Sequence, residues 1–275
     1  MAWAADEDSL RALAARLPVD QRERWLLVFD FDGTLADIAP RPEDAHLDPD
    51  LLAILEPLRD AVGWLVVVSG RDGEQLDRLV PAGWWKVGSY GLELPPELVP
   101  SGHPPGFDAA AAEAALQALH PVVSALAAQW PGTEVETKRF GIVLHYRNAP
   151  VPPDPSVMRG ALQPRLEGSG LVLVSGRRNF EVRPEFHVDK GWVTRFLIDH
   201  LDPAAVTFVG DDLGDAPAWE ALLDAPDEVA TLGLGVASAE VPPGTLTICD
   251  AVLPDRAALV TFCRALLESV ALGAG

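Results

Sequence analysis

An α/β fold is what this sequence predicts: a doubly wound parallel sheet with an inserted α+β layer. Three observations predict it. Short apolar, β-branched runs such as Trp25–Phe29, Trp64–Val68 and Ala205–Val209 alternate with helical patterns toward both ends of the chain. Strands that apolar are buried on both faces, as in a parallel sheet wrapped by helices. The rhythm breaks over residues 101–184, where the order becomes α-β-β-α-β-β. Acidic clusters close apolar runs on both sides of that break, so residues 1–100 and 185–275 form one core and 101–184 an inserted cap.

Each element has its own signal. Leu10, Leu13 and Leu17 sit at helical spacing in a lead-in that runs to about residue 24. The strand Trp25–Phe29 follows, then a proline-rich loop at Ala39–Pro42. Asp48-Pro49-Asp50 opens a helix with acid and proline at its N-terminus. Trp64–Val68 is a strand, Asp72–Leu79 a helix, and Trp85–Glu93 a third strand with its exit. Five prolines between residues 95 and 106 mark a linker. The cap then reads as a helix over Phe107–Trp130, strands at Thr133–Phe140 and Ile142–Arg147 with a turn at Gly141, a helix near Val157–Leu166, and a hairpin of Leu171–Val174 with Asn179–Val182. The core resumes with a helix at Lys190–His200, the strand Ala205–Val209, a helix at Ala216–Leu223, a strand near Leu232–Ala237 and a last helix at Asp255–Val270.

Composition excludes several function classes. The 275 residues carry a net charge of −20. Such a surface repels nucleic acid and anionic lipid, so neither is an expected partner. The longest apolar runs are of strand length, so no transmembrane helix is expected. The acidic start Met1–Asp8 lacks the basic and apolar regions of a signal peptide, which predicts a cytoplasmic protein. A monomer is expected. Cys249 and Cys263 read as small buried hydrophobes, not a disulfide. A phosphorylated substrate would need local positive charge, and among 21 basic residues only Lys86, Lys138 and Lys190 are lysines.

The chemistry-bearing residues lie at strand ends and helix starts. Asp30-Phe31-Asp32-Gly33-Thr34-Leu35 follows a buried strand, the place where open α/β sheets bind ligands. Alternation sends Asp30 and Asp32 the same way, and two converging carboxylates call for a cation such as Mg²⁺. Gly33 permits a sharp exit and Thr34 supplies a hydroxyl. Ser69, with Gly70 and Arg71, starts a helix whose N–H groups can hold an anion. Lys190 stands at a helix N-terminus, where the macrodipole disfavours it unless anions are near. Asp211, Asp212 and Asp215 follow the strand Ala205–Val209; Asp211 is the natural metal ligand and Asp215 stands behind it.

These four clusters resemble the signature motifs of the haloacid dehalogenase superfamily, and the inserted cap resembles its C2B type. The resemblance implies a Rossmann-like core and a phosphatase mechanism: Asp30 as nucleophile, Asp32 as acid and base, Thr34, Ser69 and Lys190 in the catalytic site, Mg²⁺ on Asp30, the Asp32 backbone and Asp211, and Asp212 and Asp215 in support. Gly33, Gly70 and Arg71 would contact the phosphate ester. In the cap, Glu136-Thr137-Lys138, His145-Tyr146-Arg147 and Glu181-Val182-Arg183-Pro184 resemble segments of the trehalose-6-phosphate phosphatase family, as does Gly88-Ser89-Tyr90-Gly91, with tyrosine where that family has histidine. The resemblance implies a phosphosugar substrate, a place in trehalose biosynthesis, and sugar contacts from Glu136, Lys138, Arg147 and Glu181. His145 reads as support for the cap, and Arg147 reads equally as an ion-pair partner of Glu181. Two departures stand out: Gly210-Asp-Asp-Leu-Gly-Asp-Ala216 lacks the family's threonine and final acid, and His187-Val188-Asp189 replaces an aromatic before Lys190. Sucrose-phosphate and mannosylglycerate-phosphate phosphatases, a mutase, and a phospho-accepting binding module are the alternatives.

Overall fold

The computed structural model describes residues 2–4, 6–39, 44–176, 178–237 and 244–273; most of the expected proline-rich loop after the first long strand lies outside them. The chain divides into two compact units, Met1–Leu98 with Val188–Gly275, and Val99–His187.

The first unit holds β1 (Ala2–Trp3), α1 (Glu7–Ala14), β2 (Trp25–Asp30), α2 (Pro49–Ala61), β3 (Trp64–Val68), α3 (Gly73–Leu79) and β4 (Trp85–Val87). It resumes after the second unit with α6 (Lys190–Leu201), β9 (Ala205–Gly210), α7 (Ala216–Leu223), β10 (Ala230–Val236), β11 (Ala251–Leu253) and α8 (Arg256–Leu272). Its seven strands form one parallel sheet in the order β1-β11-β10-β9-β2-β3-β4. From β2 the chain winds one way through β3 and β4, and from β9 the other way, so the strand order reverses between β2 and β9. Crevices at the carboxyl ends of strands beside such a reversal are where α/β sheets bind ligands. Every residue of β2 and of β9 is buried, as parallel strands covered on both faces require. The strands β1 and β11 are missing from the sequence reading because two or three residues are too few to show a period.

The second unit holds α4 (Ala109–Ala127), β5 (Glu134–Lys138), β6 (Gly141–His145), α5 (Pro155–Leu166), β7 (Leu171–Gly176) and β8 (Asn179–Pro184). Its antiparallel sheet runs β5-β6-β8-β7. Lys138 pairs with Gly141, so the first hairpin turns on Arg139-Phe140 and Gly141 belongs to the strand, one step from the turn the sequence suggested. Ile142, Leu144, Phe180 and Val182 pack with Leu116, Leu119 and Val123 of α4 and Met158 and Leu162 of α5. By length and composition α4 is apolar enough to cross a bilayer, and its Leu116, Leu119, Val123 and Ala127 pack into its own unit's core.

The acidity of the chain has a local use. Helices α1 to α6 and α8 each begin behind an aspartate whose carboxylate accepts a backbone N–H: Asp6, Asp48, Asp72, Asp108, Asp154, Asp189 and Asp255. Each such cap is worth about 1 kcal/mol and places negative charge at the positive end of a helix dipole. Part of the −20 net charge is therefore structural, not a binding signal. Both cysteines are buried and free, and burial pushes the Cys249 thiol up to about 12, so neither is a ready nucleophile.

Candidate active site

Strand order brings the acidic motifs together. Phe29 lies opposite Val209, so Asp30 at the end of β2 and Asp211 just past β9 emerge side by side. The chain folds back at once after Asp30: the N–H groups of Leu35 and Ala36 both donate to the Phe31 carbonyl at 2.9 Å, and the Gly33 N–H donates to the Ala36 carbonyl at 2.8 Å. Gly33 has φ +88°, and a Cβ there would lie 2.1 Å from Asp211 Oδ2. Both the turn and the neighbouring carboxylate therefore require glycine.

Lys190, Asp30 and Asp215 form a buried triad. The Lys190 Nζ donates to Asp30 Oδ1 at 2.6 Å and to Asp215 Oδ1 at 2.5 Å. The other Asp215 oxygen accepts the backbone N–H groups of Asp211 and Asp212 at 2.9 and 3.0 Å. Asp215 thus ties the lysine to the turn that carries Asp211. Lys190 is the first residue of α6, and Gly191 beside it allows close approach to α7: a Cβ there would sit 2.5 Å from the Pro217 carbonyl oxygen. Asp212 is exposed and accepts the Gly214 N–H at 2.8 Å, so it shapes the turn.

Three buried carboxylates surround one ammonium, and their titration shows the imbalance. Burial raises Asp30 well above the usual carboxylate range; Lys190 opposes the shift, while Asp215 and Asp211 add to it. Asp211 is pushed up to about 7, first by burial and then by Asp215 and Asp212. Burial alone would lower Lys190, but Asp215, Asp30 and Asp212 outweigh it and hold the ammonium charged. The cluster therefore favours an added cation. One oxygen each of Asp30, Asp211 and Asp215 lie within 4.8 Å of one another. Asp211 Oδ1 is buried with no hydrogen-bond partner among the described residues, and both Asp215 oxygens are engaged. Asp30 and Asp211 thus offer hard oxygen donors to a divalent ion, a donor set that suits Mg²⁺.

The loop after β3 completes this end of the sheet. The Ser69 hydroxyl accepts the Arg71 N–H at 3.2 Å and is buried. Arg71 lays a fork on Asp32, with Nε to Oδ2 at 2.8 Å and Nη2 to Oδ1 at 2.7 Å, and its guanidinium lies 5.4 Å from the Phe31 ring centroid. The sequence reading set Arg71 against the phosphate ester and Asp32 as acid and base; the structure joins the two side chains. Thr34 is buried, and its Oγ1 has no hydrogen-bond partner among the described residues. Sequence reasoning missed Glu93, whose carboxylate accepts the Gly73 N–H at 3.0 Å and the Ser89 hydroxyl at 2.7 Å. Nothing in its spacing marks it.

In the second unit, Glu136 lies opposite Val143, and Val143 opposite Glu181. Alternation puts Glu136, Lys138 and Glu181 on the sheet face opposite the one that packs on α4 and α5. Lys138 Nζ is 3.9 Å from Glu181 Oε1, and His145 Nε2 is 2.8 Å from Glu136 Oε2. Gly141 leaves room for Glu181: a Cβ there would lie 3.1 Å from its Oε1. Arg147 lies past β6 in an exposed turn, and the pairing with Glu181 falls to Lys138.

The sequence profile of the family described as trehalose-phosphatase matches residues 28–243. A trehalose-phosphate phosphatase of Mycobacterium tuberculosis (strain ATCC 25618 / H37Rv) is 35% identical over 222 residues, which cover 78% of this chain and 55% of that protein. The chain thus spans about half the length of the curated relatives it matches. Among solved structures, a trehalose-6-phosphate phosphatase related protein aligns with TM-score 0.71 and 19% identity over 88% of this chain and 97% of its own. A haloacid dehalogenase-like hydrolase from B. subtilis aligns with TM-score 0.53 and 16% identity over 87% and 98%. These two likenesses bear on the fold: a Rossmann-like core with a cap.

Proposed function

The chain belongs to the trehalose-phosphatase family, and from that membership we propose that it is a Mg²⁺-dependent phosphatase releasing trehalose from trehalose 6-phosphate. The observation that carries the reading is the buried cluster in which Lys190 bridges Asp30 and Asp215 while Asp211 keeps an unpartnered oxygen. An ammonium held against a carboxylate nucleophile opposes the rise that burial imposes on it and offers positive charge to an incoming phosphoryl group.

Asp30 attacks phosphorus as the ester bond to the sugar oxygen breaks, forming an aspartyl-phosphate. Asp32 gives its proton to the departing oxygen, then takes one from the water that hydrolyses the intermediate and frees Asp30. Its fork with Arg71 must open for this, and the phosphate ester is the natural competitor for that guanidinium. Ser69, Lys190 and the N–H groups of the Gly33 and Gly70 loops surround the phosphoryl oxygens, with Thr34 behind them. Asp30, the Asp32 carbonyl and Asp211 would hold Mg²⁺, which when bound neutralises charge on those oxygens. Asp212 and Asp215 keep the Asp211 turn in shape.

The unit spanning 99–187 chooses the substrate in this reading. Glu136, Lys138 and Glu181 on its polar face match the demand of sugar hydroxyls for charged partners, and unpaired partners discriminate strongly against wrong sugars. Arg147 joins them as a substrate contact. The substrate is thus a phosphosugar, and the protein acts as a cytoplasmic monomer that binds neither nucleic acid nor membrane. Phosphate release with Mg²⁺ from trehalose 6-phosphate, sucrose 6-phosphate, glucose 6-phosphate and mannosylglycerate phosphate tests the reading. Strong preference for the first is expected. Preference for another ester overturns the sugar assignment, and no turnover of any overturns the phosphatase itself.

A further inference from the structure

The turn after β4 takes positive φ at three successive residues, two of them not glycine. Ser89, Tyr90 and Gly91 have φ of 49°, 57° and 112°. Side chains rarely adopt that region, and a bulky one there is an outlier that invites a functional explanation. The turn is held against the loop after β3. Ser89 N–H donates to the Arg71 carbonyl at 2.7 Å, Tyr90 N–H donates to the Ser69 carbonyl at 3.0 Å, and Glu93 clamps Gly73 and Ser89 from the far side. These bonds explain why the strained backbone persists. They do not explain the tyrosine, since a glycine at position 90 would make the same bonds with less strain.

Tyr90 is half-buried, so part of its surface remains accessible. Its hydroxyl end lies on Gly70: a Cβ on Gly70 would sit 2.4 Å from Tyr90 Cζ and 2.5 Å from its Oη. Gly70, between Ser69 and Arg71 in sequence, therefore leaves room for the phenol. Ser69 is the hydroxyl at the phosphate loop, and Arg71 holds Asp32. A part-exposed aromatic ring with a hydroxyl at its tip presents what a sugar binds: a flat apolar face for its C–H groups and a hydrogen-bonding group for a hydroxyl.

We propose that Tyr90 is a specificity-determining residue that contacts the carbohydrate leaving group of the phosphate ester next to Asp32. The inference rests on the phosphosugar phosphatase reading above and places a sugar contact in the first unit. The competing role is a wedge that merely shapes the Ser69–Arg71 loop. A wedge would affect every phosphate ester alike, whereas a sugar contact affects only esters that carry a sugar.

The test is the selectivity ratio, kcat/KM for trehalose 6-phosphate over kcat/KM for ethyl phosphate, in the wild type and in Tyr90→Gly, Tyr90→Phe and Tyr90→His, with thermal melts of each. Tyr90→Gly relieves the backbone and should melt no lower than the wild type, while the ratio falls about 10- to 100-fold, chiefly through KM. Tyr90→Phe keeps the ring and should lower the ratio less. Tyr90→His restores a ring with a polar atom and should recover most of it. An unchanged ratio in Tyr90→Gly overturns the proposal. Should Tyr90→Gly melt early, Tyr90→Phe decides: an unchanged ratio there likewise overturns it. If the wild type prefers another sugar ester, the same ratio is read on that ester. Failure of the substrate reading shows in the wild type, and failure of this inference shows only in the comparison of variants. A wild type that turns over no sugar ester overturns both.

Discussion

The buried cluster of the first unit and the polar sheet face of the second use similar residues in different ways. Around Lys190 the partners are close and dry, at 2.5 and 2.6 Å, with side chains that are 5% or less exposed apart from Asp30 at 6%. On the cap face Lys138 and Glu181 stand 3.9 Å apart and remain partly accessible. A buried network fixes one geometry and is costly to disturb; a longer, partly accessible pair, with side chains 14% and 15% exposed, exchanges partners with a ligand at lower cost. Chemistry needs the first property and recognition of hydroxyls the second. On the proposed function, the molecule separates the two tasks between its units.

Breaking the buried side should give the largest effect. Asp30→Asn removes the nucleophile and is expected to lower turnover of every ester by about 10⁴-fold or more, while circular dichroism stays that of the wild type. Substantial residual activity would contradict the assignment. Next in size, Lys190→Met strips the charge from between Asp30 and Asp215. Removing one partner of a buried pair costs about 3–5 kcal/mol, which urea denaturation of the metal-free protein should reveal. A loss under about 1 kcal/mol, the range of a solvated surface pair, would place the lysine outside any tight network.

A smaller effect sharpens the comparison through pH. Asp211 is raised to about 7 in the folded, metal-free protein, against 3.8 ordinarily. The folded state therefore binds this proton more tightly than the unfolded chain does. Its stabilising effect is complete below about pH 4 and is lost as pH rises through 7. A cation needs the ionised carboxylate, so Mg²⁺ should raise the melting temperature little at pH 5.5 and more at pH 8. Equal Mg²⁺ shifts at the two pH values would contradict this account of the cluster.

The sequence carried most of the core and part of the site. Asp30, Ser69, Lys190 and Asp211 were legible because each ends an apolar run or opens a helix, and a strand end is a place that can be read locally. The cap residues Glu136, Lys138 and Glu181 were legible only through the resemblance of their segments to the trehalose-6-phosphate phosphatase family. What escaped depends on which loops meet. Arg71 and Asp32 are 39 positions apart, and nothing near either residue announces a fork between them. The pairing of His145 with Glu136 follows from hairpin register, which shifted once the turn proved to be Arg139-Phe140. The strain at Ser89 and Tyr90 is a backbone property with no compositional sign, since glycine, its usual marker, comes only at the third position.

The central claim is the division of labour, and Glu181→Ala tests it most directly. The measurement is kcat/KM for trehalose 6-phosphate divided by kcat/KM for acetyl phosphate, in wild type and variant, with saturating Mg²⁺. The account predicts that this ratio falls about 100-fold, the scale on which a lost polar contact to a sugar hydroxyl discriminates. A ratio equal to that of the wild type would contradict it.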